Sequence, residues 1–236
     1  MRSRLIYGVV AQVSLSDARS LSLLQAGSAS DCAARGCRRP RSGAGTVRFL
    51  SAGAVMFAIM ANRSYLYSAD SLPSEEDIPK PVRCISEHNW SIPLAHKLLV
   101  GRETAVVPSM IWNARIGIAA DFAGGAELLG DLLQVVGQGI ADRDFAACVD
   151  KTMAHLEKQR GKFFLLETGE IVSLGGDDPE DEVRHLVAHD IPTAVAQAEA
   201  ALAGDNDEWL ASVRADWQDH FASFYSEWLY FSFPVD

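Results

Sequence analysis

The chain changes character at Met60, and that break confines where a fold can lie. Residues 1–59 carry eight Arg, no Lys, two Asp and no Glu, a balance of +6, whereas the 177 residues that follow carry 13 basic and 29 acidic side chains, about −16. The first segment mixes Ser, Ala, Gly and Arg around an Arg38-Arg39-Pro40-Arg41 cluster, without sustained apolar periodicity. We therefore expect a disordered leader over 1–59, not part of the native product, and a single domain over 60–236.

Three readings of that leader compete. It has the Arg-rich, Ser-rich, acid-poor composition of a transit peptide, and Arg48 before the apolar run 49–59 has the order of a secretory signal. The run is too short to span a bilayer, it lies far from residue 1, and Ile59-Met60-Ala61 does not match a small-x-small cleavage site. The third reading starts translation at Met60, or at Met56, and treats the upstream text as read-through of a GC-rich leader. This last is preferred, so the mature protein is expected to begin at Met60 or Ala61, which intact-mass analysis checks.

From Met60 on, hydrophobic periodicity alternates between short β runs and amphipathic helices. Residues 63–68 alternate aromatic and polar side chains and predict a strand; Pro73, Pro79 and Pro81 mark a loop; 82–86 and 115–120 read as further strands. Ser91 as N-cap with Pro93 in the first turn predicts a helix over 94–100. Phe122, Ala126, Leu129, Leu133 and Val136 predict one amphipathic helix, and Phe145, Val149, Met153 and Leu156 a second over about 142–160. Residues 162–167 and 170–174, joined by Thr168-Gly169, predict a β-hairpin. An acidic turn over 175–182 leads into a helix that Pro192 breaks near Asp190; a second then runs to Ala203 and closes at Gly204. Asp205 with Glu208 resembles a capping box before a helix over 205–229. Strands and helices mix without regular βαβ alternation, which gives an α+β domain: a small, mostly antiparallel sheet with packed helices and a helical C-terminal part.

The acidic surface repels phosphate backbones and anionic lipid, so nucleic acid and membranes are not expected partners, whereas a basic protein or a cation is. Cys32, Cys37, Cys84 and Cys148 form neither a disulfide framework nor a zinc set, which suits a reducing, cytoplasmic compartment. His185 and His189 stand four apart on a predicted helix and are the candidate metal pair. Leu186 occupies the place where a zincin carries its general base, so no metal and no cofactor is expected. Asp177, Asp178, Glu180, Asp181 and Glu182 suit the positive end of a helix dipole and lack the calcium-loop pattern. Glu87 and His88 are the candidate acid-base pair, against which stands the opposite pointing of adjacent strand residues. Trp217, Phe221, Phe224 and Trp228 form an aromatic stripe, the candidate binding face, buried either in the core or against a partner.

Residues 60–68, Met-Ala-Asn-Arg-Ser-Tyr-Leu-Tyr-Ser, are similar to the opening of a family of uncharacterised bacterial proteins. Ile85-Ser-Glu-His-Asn-Trp-Ser-Ile-Pro-Leu94, Ser109-Met-Ile-Trp112 and Gly169-Glu170-Ile171 extend the resemblance, which covers 60–174. The family is a domain of unknown function, so the resemblance implies no activity and no catalytic residues. Charge and the aromatic stripe favour a non-enzymatic binding or regulatory protein, immunity- or adaptor-like, with a basic protein partner. The alternative is a small enzyme, a metal-dependent hydrolase using His185 and His189.

Overall fold

The computed structural model describes residues 62–221 together with Leu229, Phe231 and Phe233. The leader, Phe224 and Trp228 lie outside the described residues. Strands β1 (Arg63–Ala69), β2 (Val82–Asn89), β3 (Ala105–Val107), β4 (Gly117–Asp121) and β5 (Phe163–Glu167) form an antiparallel sheet in the order β2-β1-β5-β4-β3. Around it lie α1 (Leu94–Leu99), α2 (Phe122–Gly137), α3 (Arg143–Lys158), α4 (Gly169–Val172), α5 (Pro179–His185), a π-helical turn (Leu186–Asp190), α6 (Ile191–Ala203), α7 (Asp207–Ala215) and α8 (Trp217–Phe221). The α+β expectation holds.

Side-chain alternation splits the core in two. Leu66, Ile118, Ala120, Phe164 and Leu166 meet the helices, where Phe122 stacks on Phe164 at 4.2 Å. Tyr65, Tyr67, Ala69, Ala119 and Leu165 point the other way, where Met110 and Trp112 of the β3–β4 connection and Leu229, Phe231 and Phe233 cover them. Both faces of β1 are thus buried, which explains its unbroken run of buried residues from Ser64 to Ala69.

Local chemistry starts the long helices. Asp121 caps α2 by accepting from the Gly124 N–H, Asp142 caps α3 through the Asp144 N–H, and Asp178 caps α5 through Glu180 with Pro179 in the first turn. Arg214 of α7 donates to the carbonyls of Val135 and Val136, which also accept from the Gln138 and Gly139 N–H groups, and so ties α7 to the C-terminal end of α2. Gly204 closes α6 at φ +82°, the left-handed geometry expected of it.

Four local expectations are corrected. The hairpin does not form: after β5 the chain turns into α4, because β5 is already paired on both edges by β1 and β4 and offers no edge to residues 170–174. Pro192 does not stop its helix; α5 continues through the π-helical turn into α6, and the wider turn accommodates the proline's missing donor and ring. Ser91 is not the cap of α1, which starts after Pro93 without a side-chain cap, and the Ser91 carbonyl instead accepts from Ser64 Oγ. No capping box opens α7, and the single helix expected over 205–229 is interrupted at Asp216 between α7 and α8.

Candidate functional site

Trp90 ends β2 at φ +70°, held by its N–H donating to the Asn62 carbonyl at 2.6 Å, with 59% of its surface exposed. A bulky residue in the left-handed region is strained, and such positions cluster where function over-rides local preference. The next residues, Ser91 to Leu94, form one wall of an open groove of about 600 Å³ completed by α1, the end of the π-helical turn, α6, α7 and α8. This volume is in the range of ligand sites.

Buried Pro93, Ala194 and Val213 give the groove an apolar floor, and Trp209 adds a half-buried indole. Lys97 Nζ lies 3.9 Å from Asp190 Oδ2, and Asp190 Oδ1 lies 3.8 Å from His185 Nε2. On the opposite side α8 supplies Asp219 and His220. Burial pulls the His220 imidazole below its ordinary value, against the opposing charges of Asp216 and Asp219. The groove holds two carboxylates against one ammonium.

The two histidine signals of the sequence lie outside the groove's lining, each linked to it through one of its carboxylates. His185 and His189 are exposed, their ring centroids 4.7 Å apart across the junction of α5 and the π-helical turn, with His185 beside Asp190. Among the described residues no three His, Cys, Asp or Glu side chains converge as a metal set. His88 is half-buried on the helix side of β2, opposite Ser64; burial lowers its pKa and the Asp219 carboxylate opposes that. Glu87 lies on the other face, opposite Tyr65 and 3.2 Å from Arg63 Nε, so the strand does not bring Glu87 and His88 into one cleft. Trp217 packs edge-on against Phe145 at 5.2 Å, and both Trp217 and Phe221 belong to the helix-side core.

Sequence reasoning missed two buried polar centres. His96, fully buried, sits between Ser64 Oγ at 3.2 Å and Ser86 Oγ at 2.8 Å; burial, aided by His88, pushes it down to about 3. On the other face Glu167, 1% exposed, accepts from Ser109 Oγ at 2.6 Å and from the Met110 N–H at 2.7 Å. Burial raises its carboxyl to about 7 although both hydrogen bonds oppose the rise. Nearby, Glu170 accepts from the Tyr65 hydroxyl and the Arg63 N–H, each at 2.9 Å, and Trp112 lies over Gly169 so closely that a Cβ there would come within 2.6 Å of the ring. Three phrases of the family resemblance, around Tyr65, Ser109–Trp112 and Gly169–Glu170, thus meet in space. An acid closing the apolar run Phe-Phe-Leu-Leu-Glu167 was the available signal, since its register aims it inward.

Among the described residues no helix is long and apolar enough to cross a membrane. No curated protein and no solved structure matches the chain. A family model, Domain of unknown function (DUF7822), matches residues 70–205.

Proposed function

We propose that this chain, which belongs to the DUF7822 family of domains of unknown function, is a non-enzymatic binding or regulatory protein, immunity- or adaptor-like, that engages a basic protein partner. The observation that carries the reading is the open groove, whose lining holds the Asp190 and Asp219 carboxylates and Trp209, on a domain with 29 acidic and 13 basic residues. Such a field steers cationic partners and repels phosphate. A cytoplasmic location belongs to the same reading, supported by the free thiols of Cys84 and Cys148, both raised above their ordinary value by burial.

The test is association of the full chain with a Lys/Arg-rich peptide at low and at moderate salt. Binding whose on-rate falls as salt rises supports the reading; equal binding of an acidic peptide, or none of the basic one, overturns it. A second reading, a metal-dependent hydrolase, draws on the neighbourhood of His185, His189 and Asp190. One metal per chain by elemental analysis, lost in the His185→Ala, His189→Ala variant, would put that reading first.

A further inference from the structure

We infer that the groove is a receptor for an arginine side chain of the partner, an inference that rests on the binding reading above and names what it recognises. The floor formed by Pro93, Ala194 and Val213 suits the methylene stem, which long cationic side chains lay along apolar surface. Half-buried Trp209 lines the groove, and over an indole a guanidinium stacks flat while keeping its planar fork of donors free, whereas an ammonium is attracted only as a compact point charge. Asp190 is already shared by Lys97 and His185. Among the described residues Asp219 forms no salt bridge and its charge acts only on the His88 and His220 imidazoles, whose pKa values burial lowers, so it is the carboxylate open to a new cation. Burial of His220 beside it lowers the imidazole pKa and so disfavours a competing positive charge there.

The experiment uses the full chain and a capped lysine-rich peptide with one central arginine, compared with the same peptide carrying lysine or citrulline at that position. The lysine peptide keeps total charge, and the citrulline peptide keeps shape. The arginine peptide is expected to bind about fivefold more tightly than either, the scale of one stacked or paired cation. Trp209→Ala and, separately, Asp219→Asn should each remove that preference; the second changes only an exposed carboxylate and leaves the core intact. Equal binding of the arginine and lysine peptides with preserved salt dependence overturns the arginine receptor and leaves the binding reading standing. An arginine preference unchanged in both variants overturns the groove as its site. No binding of any basic peptide overturns both.

Discussion

At the scale of single residues, Glu167 is the side chain whose setting has the clearest consequence. Its carboxyl titrates near 7 when folded and near 4.3 when unfolded. Between those values the folded state holds a proton that the unfolded state has lost, so this group's contribution to stability falls as pH rises and is fully lost above about 7. His96 acts oppositely: depressed to about 3, it contributes stability present above its unfolded value near 6.5 and lost as pH falls. Glu167→Gln keeps shape and an acceptor while removing titration. Urea unfolding from pH 4.5 to 7.5 should show the variant gaining on wild type as pH rises, by up to about 3 kcal/mol. A constant difference across that range would mean that Glu167 does not titrate there. Gly169→Ala tests the same corner by volume: its Cβ would meet the Trp112 ring, an overpacking that costs about 1–3 kcal/mol.

At the scale of elements, the contact of α1 with α2 fixes which helix substitutions are tolerated. Gly to Ala inside a helix ordinarily stabilises by about 1 kcal/mol. At Gly125 the sign should reverse, because a Cβ there would lie 2.0 Å from the Leu99 carbonyl oxygen of α1, backbone that cannot swing aside. Gly125→Ala is expected to lower the urea midpoint by the equivalent of about 1–3 kcal/mol or more; a raised midpoint would show that the helices part freely. The break between α7 and α8 directs Trp217 and Phe221 inward, so Trp217→Ala should cost about 3–5 kcal/mol. Trp217→Ala with an unchanged melting temperature would remove that residue from the core.

At the scale of the whole molecule, the acidic surplus acts on the domain as well as on its partners. About −16 on 177 residues destabilises the compact state by self-repulsion, which salt screens. Sodium chloride raised from 20 to 300 mM should therefore raise the melting temperature, by about 2–4 °C for each kcal/mol of repulsion relieved. The same salt should slow association with a basic peptide, so stability and binding move in opposite directions. A melting temperature that falls with salt would mean that ion pairs such as Arg63–Glu87 and Arg102–Glu199 outweigh the repulsion.

What the sequence determined by itself is whatever depends on residues within about four positions of one another. The strand alternation at 63–68, the amphipathic stripes of α2 and α3, the Pro179 start of α5 and the Gly204 stop of α6 were legible because period and turn chemistry are local. The α+β class followed from their order. Tertiary structure decided everything that needed a distant neighbour. Residues 170–174 have the composition of a strand, yet β1 and β4 had already taken both edges of β5, so α4 formed instead. Glu167 reads as an ordinary terminal acid until the β3–β4 connection closes over it and withdraws its solvent. The groove joins the Ser91–Leu94 turn to Asp190, Trp209 and Asp219, far apart from it in the chain, and no pattern along the sequence encodes that meeting. Burial and convergence are properties of the packed chain, because desolvation and charge act through space and not along the backbone.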